Sequence, residues 1–331
     1  MYHRCVVCRR HGAAIPFDLL AEAFKFDPDE PRNFHGQWMG STGGPKSLLK
    51  DLPGIPEDKL ASSVAPGKWD ATAKRATTDM LRGRVEDTEH AHRRILPDGS
   101  LGEYSPARQA LHQEILNRLF QGKQQHPQDA RAIFMAGGGG SGKSSMIRKG
   151  HVDVPADVVH SNPDIVREML PEYKLLKAAG RQDASSLTHE EASHLSKLAM
   201  QIAMEKKYHV LIDSVGGGAP GKFADKVERA RDLGHKTSVH YATVPVSEAI
   251  KRADARGKKT GRYVPESVLR QAHKQVSERY LDGVRHVKGV HVQVFDTSAE
   301  PKLIAEKTPG SDNVSIKDRA AYKAFAEKAK A

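Results

Sequence analysis

The sequence predicts an α/β protein with a mainly parallel sheet covered by helices on both faces, preceded by a poorly packed N-terminal extension. Three observations carry this expectation. Short apolar runs at residues 132–136, 157–160, 208–213, 235–244 and 290–295 alternate with longer amphipathic stretches, the rhythm of strand–helix–strand units. The run GGGGSGKS at 137–144 joins the first of these strands to a helix. Residues 27–66 are dominated by Pro, Gly, Ser, Thr and charge and hold no sustained helical or strand period.

The elements follow in order. Before residue 100, short helices are expected over 16–26 and 71–84. A domain boundary is placed near residue 100, dividing the chain into an accessory extension (1–100), a nucleotide-binding domain (101–300) and a polar tail (301–331) with one amphipathic helix near 316–330. Ser105 and Pro106 have the cap and first-turn chemistry that starts a helix, and Leu111, Ile115, Leu116 and Leu119 give it an apolar face. After the strand at 157–160, Asn162 caps a helix with Pro163 in its first turn and Pro171 as its stop, which puts Asp164 just beyond the carboxyl end of a strand. Ligands bind at that edge of an open α/β sheet. Thr188 and Glu191 have capping-box spacing ahead of a long helix faced by Ala192, Leu195, Ala199, Ile202 and Ala203. Further helices are expected over 222–233, over 246–256 and from Pro265 to about 281.

The composition bounds the function class. At 331 residues, with 38% hydrophobic and 28% charged residues, the chain can bury a sizeable core, while 6% aromatic content and a negative mean hydropathy suit a part that is not packed. The net charge of +11 is scattered rather than clustered, so no basic stripe marks a nucleic-acid partner. No run is long enough to span a membrane and the first residues contain no leader-like apolar stretch, so the default address is cytoplasmic. The two cysteines, Cys5 and Cys8, make no disulfide framework. With His3 and His11 they form a candidate metal site, weakened by the lack of a second, separated ligand pair.

The 137–144 run matches GxxxxGK[ST] in full, the phosphate-binding loop of a P-loop NTPase or kinase with a three-layer sandwich fold. Gly137, Gly138, Gly139, Gly140 and Gly142 let the backbone close around a polyphosphate, and the loop with Ser141 and Ser145 is expected to hold the phosphates of a nucleotide. Lys143 is placed to reach the β- and γ-phosphates and Ser144 to ligate Mg²⁺. Asp213, closing an apolar strand downstream, is the expected second metal-orienting group. The sequence contains no NKxD guanine-reading motif and no second ATPase core, which argues against a GTPase and against a motor.

Four pieces, GGGGSGKS at 137–144, NPDIVREMLPEY at 162–173, VLID at 210–213 and AIKRADARGKKTGRYVP at 249–265, give the C-terminal two thirds a pattern that resembles the zeta toxin family of P-loop kinases. The resemblance implies an ATP-dependent kinase of nucleotide-activated amino sugars, acting typically on the 3′-hydroxyl of UDP-N-acetylglucosamine, and a toxin held by an antitoxin partner. It makes Asp164 the base for the acceptor hydroxyl and puts the family's two cationic positions on Arg252 and Arg262, with Arg167 and Arg256 as further candidates. The chain departs from the family at Ser214-Val215-Gly216-Gly217, where Val215 replaces a threonine on the acceptor side. NAD or a polynucleotide 5′-hydroxyl is the alternative acceptor, and a phage or mobile-element structural protein with a nucleotide-binding passenger domain is the rival class. An inhibitory role for residues 1–100 is a separate expectation.

Overall fold

The computed structural model describes residues 71–81, 84–181, 183–260 and 264–330. Arg262, the helix expected over 16–26 and the Cys5, Cys8, His3 and His11 group lie outside the described residues.

The chain opens with α1 (Ala71–Leu81), α2 (Thr88–His92) and a hairpin of β1 (Arg93–Ile95) and β2 (Leu101–Tyr104). Helix α3 (Pro106–Phe120) starts as cap chemistry predicts, with the Ser105 hydroxyl accepting from the Arg108 N–H at 3.3 Å. Strand β3 (Arg131–Ala136) leads through the glycines into α4 (Lys143–Arg148). Then follow β4 (Val159–Ser161), α5 (Pro163–Arg167), α6 (Pro171–Ala178), α7 (Ala184–Leu187), α8 (His189–Glu205), β5 (Val210–Asp213) and α9 (Lys222–Asp232). The chain continues with β6 (Lys236–Thr243), α10 (Val246–Thr260), α11 (Glu266–Asp282), β7 (His291–Asp296), β8 (Lys302–Lys307), β9 (Ser315–Ile316) and α12 (Arg319–Glu327).

The main sheet runs β4-β5-β3-β6-β7-β8-β9, parallel as far as β7 and antiparallel from there. β3 is central, and Ala132 to Ala136 are wholly buried. The chain leaves β3 to one side for β4 and β5 and reappears on the other as β6, so the connections diverge at the carboxyl end of β3, where α/β sheets bind ligands. Alternation along β3 divides the core. Ala132, Phe134 and Ala136 face α3, α8, α9, α11 and α12, whereas Ile133 and Met135 face Met146 of α4 and Val152 in the loop after it.

Four expectations are corrected. Residues 302–307, expected in a polar tail, form a strand paired with β7, and Phe325 of α12 is buried against the core. Residues 71–104, read as outside the compact part, dock on it: Met80 is fully buried and His92 lies against α6. Pro171 opens a second helix, because α5 ends at Arg167 and proline suits a first turn as well as it stops a preceding one. Thr188 and Glu191 form no capping box. The Thr188 hydroxyl donates to the Ala184 carbonyl, and Glu191 turns inward.

Glu191 turns inward to meet Arg108. The guanidinium spans two carboxylates, with Nε and one NH2 on Glu191 (2.5 and 2.7 Å) and both terminal nitrogens on Glu172 (2.8 and 3.0 Å). His92 closes on Glu172 at 2.8 Å and His112 on Glu191 at 2.6 Å, all of it buried. Burial pushes both carboxyls up, but the Arg108 charge and its hydrogen bonds outweigh it and hold Glu172 low and Glu191 well below its ordinary range. The cluster ties α2, α3, α6 and α8 together.

Removing one member leaves uncompensated buried charge, so Glu191→Ala is expected to lower unfolding free energy by about 3–5 kcal/mol in chemical denaturation; a loss under about 1 kcal/mol contradicts this account. Burial pushes His194, His240 and His273 down to about 4. Their contribution to stability is present above the ordinary histidine value near 6.5 and is lost as pH falls toward 4, because the unfolded chain binds protons that the folded one refuses. The denaturation midpoint is therefore expected to fall between about pH 7 and pH 5, and a flat profile over that window contradicts it.

Candidate active site

The glycine loop is held from behind so that its other face stays open. Gly137 N–H donates to the Val215 carbonyl (2.9 Å), which joins the start of the loop to the end of β5. Gly140 and Gly142 have φ of +76° and +90°, and a Cβ on Gly137 would lie 2.6 Å from the Ala242 carbonyl oxygen. Side chains are therefore excluded where the backbone turns. The Thr297 hydroxyl, just past β7, bridges the Ser141 and Thr243 carbonyls at 2.6 and 3.0 Å. His273 of α11 donates from Nε2 to the Gly139 carbonyl at 3.0 Å, and its ring fills the space that a Cβ on Gly138 would need.

A line of polar contacts crosses the carboxyl edge of the sheet. Lys143 Nζ donates to the Gly137 carbonyl (2.5 Å) and lies 3.9 Å from Asp213 Oδ1. The Asn162 side-chain Nδ2 donates to Asp213 Oδ2 (3.2 Å), and its Oδ1 accepts from the Asp164 N–H (2.8 Å). Asp164 in turn accepts from Arg167 at 2.5 Å. The same asparagine that caps α5 thus links the Asp213 carboxylate to the backbone of Asp164. Ser144, in the first turn of α4, is exposed at this edge.

The predicted residues separate on inspection. Lys143, Asp213 and Asp164 are brought together through Asn162. Arg252 is half-buried and its guanidinium donates to Glu248 and to the Thr297 and Ser298 carbonyls (3.0, 3.1 and 3.1 Å), which makes it a brace on the turn behind the loop. Arg167 is buried beneath Asp164 rather than turned toward the loop. Arg256 follows Arg252 by one turn of α10. Val215, expected on the acceptor side, packs its side chain on the core and gives its carbonyl to the loop.

Two supports were missed. Thr297 had a faint signal, a hydroxyl residue right after a strand, whereas nothing local distinguishes His273 from other helix-face histidines. At the opposite, amino edge of the sheet His126, Asp157 and His209 cluster with their ligand atoms within 4.8 Å of one another, but the ring arrangement is a poor match to a metal centre. The imidazoles stack at 3.7 Å with 18° between planes, so no ion can lie in the plane of both, and His209 Nδ1 already accepts from the Arg131 N–H.

The fold and this loop define a P-loop kinase-like α/β protein. The chain matches the zeta toxin family over residues 116–308 and belongs to it. Among solved structures it is similar to AvrRxo1-ORF1:AvrRxo1-ORF2 complexes, one with ATP (14% identity, TM-score 0.54) and one with sulphate ions (14% identity, TM-score 0.53), each covering 73% of this chain and 82% of that one. A structure from the PezAT chromosomal toxin–antitoxin system of Streptococcus pneumoniae also aligns, at 14% identity and TM-score 0.45 over 69% of this chain and 96% of that one. At such identities the likeness to the AvrRxo1 complexes shows the fold alone. No curated protein matches. Among the described residues no helix is long and apolar enough to cross a membrane.

Gly138→Ala drives a methyl into the His273 ring and tilts the loop. It is expected to weaken ATP binding about tenfold or more in titration calorimetry; unchanged affinity with a folded protein contradicts the role given to His273.

Proposed function

We propose that this chain is an ATP-dependent kinase that transfers the γ-phosphoryl group to a hydroxyl of a nucleotide-linked sugar, best matched by the 3′-hydroxyl of UDP-N-acetylglucosamine, and that it acts as the toxin of a pair with an antitoxin protein. The observation that carries this reading is the contact line from the loop lysine through Asp213 and Asn162 to Asp164. It ties the backbone of a candidate base to the carboxylate beside the phosphate cradle, an arrangement that supports an in-line transfer.

In this mechanism the backbone N–H groups of residues 138–140 and 142–144 and the Lys143 ammonium orient the triphosphate. Asp164 accepts the proton of the acceptor hydroxyl as its oxygen bonds to phosphorus and the bond to the β-phosphate oxygen breaks, leaving ADP. Asp213 and Ser144 offer oxygen donors of the kind Mg²⁺ prefers, and they are the residues that would hold it. Bound there, Mg²⁺ supplies charge neutralisation at the phosphates. Arg256 and Arg262 are assigned the developing charge on the transferred group, and Arg252 the bracing of the turn that supports the loop.

Labelled ATP offered with UDP-N-acetylglucosamine, NAD and a 5′-hydroxyl oligonucleotide tests the reading. The sugar nucleotide alone is expected to be labelled, and Asp164→Asn to slow the transfer by about 10²–10⁴ with ATP still bound. Labelling of another acceptor instead contradicts the sugar assignment, and no transfer to any of the three contradicts the kinase reading.

A further inference from the structure

Asp164 is not supported from α5 alone. Arg167, one turn along that helix, donates from one terminal nitrogen to Asp164 Oδ1 at 2.5 Å. Its side chain is 3% exposed while that of Asp164 is 35% exposed, so the guanidinium lies beneath the carboxylate, inside the protein. Its other terminal nitrogen meets His189 Nδ1, the first residue of α8, at 2.9 Å. A guanidinium only donates, so Nδ1 must accept, and the proton of a neutral imidazole then sits on Nε2. That nitrogen in turn lies 3.2 Å from the Ser193 hydroxyl, one turn further along α8. The Arg167 donor thereby sets the tautomer, and the Ser193 hydroxyl is placed to accept from Nε2.

We propose that His189 is a positioning residue for phosphoryl transfer: as a neutral Nδ1 acceptor it fixes the Arg167 guanidinium, which in turn holds the Asp164 carboxylate at the angle needed to take the acceptor's proton. The inference rests on the kinase reading given above and adds a residue to it.

Two features favour an orienting role over plain packing. The Arg167 guanidinium is gripped at each terminal nitrogen and lies 5.8 Å from the Tyr173 ring centroid, which leaves the planar group little rotational freedom. The helix that carries His189 is itself pinned two residues later, where Glu191 enters the Arg108 cluster. The line from that buried cluster to Asp164 therefore runs through His189 and Arg167, with the flexible bonds held at each step. A carboxylate misplaced by about 1 Å costs on the order of a hundredfold in rate, so loosening Arg167 is expected to appear in the chemical step.

The test is a double-mutant cycle on transfer from ATP, using Asp164→Asn, His189→Ala and the pair together. His189→Ala is expected to lower kcat about 10- to 100-fold with the KM for ATP changed less than about twofold. In the Asp164→Asn background the same change is expected to cost less than about threefold, because the residue it acts through is already disabled. His189→Asn, whose side-chain oxygen falls near the Nδ1 position and can accept, is expected to return kcat to within about threefold of the unmutated enzyme. Losses that multiply in the double mutant, an unchanged kcat in His189→Ala, or an Asn variant no better than Ala would each overturn the inference while leaving the kinase reading intact. Absence of transfer by the unmutated protein overturns both.

Discussion

The backbone that follows Gly137, as far as Gly142, has to offer N–H groups to a polyphosphate with no side chain in the way, and the rest of the molecule is arranged around that demand. A bare loop of this kind has little intrinsic stiffness. Here it is held through groups that face away from the ligand: Val215 on the Gly137 N–H, Thr297 on the Ser141 carbonyl and His273 on the Gly139 carbonyl. These supports come from the ends of β5 and β7 and from α11, so the loop can keep its shape only when the whole sheet and its covering helices are assembled.

A second constraint governs the acceptor side. Arg108 and its two glutamates would be costly to bury one at a time and are tolerated because each charge meets several partners. They join α3, α6 and α8, the last of which packs on the helix that carries Asp164. The loop and the carboxylate are thus held by two separate systems, one built on backbone carbonyls and one on buried ions, and Asn162 links them through Asp213 and the Asp164 N–H.

Much of this was legible in the sequence. The strand–helix alternation and the full GxxxxGK[ST] match placed the sheet and loop, and the caps at Ser105 and Asn162 formed as their chemistry predicts. The misreadings have physical causes. Glu191 has capping-box spacing, but its carboxylate finds a buried guanidinium 83 residues away in sequence, a contact no local pattern encodes. Strand β8 reads as a polar tail because KLIAEK carries lysines at both ends and a glutamate, yet Ile304 and Ala305 are fully buried. Arg252 is a separate case: it has the sequence position of a phosphate ligand, and the turn after β7 also brings two carbonyls within its reach, which no local pattern announces.

The central claim is that the glycine loop and Lys143 form a working phosphate site. Titration calorimetry of ATP with Mg²⁺ into the unmutated protein and into Lys143→Ala tests it most directly. The account predicts saturable binding to the first and at least a tenfold weaker association with the second, a difference of about 1.4 kcal/mol or more. Equal affinity in the two proteins, or no binding to either, would contradict it.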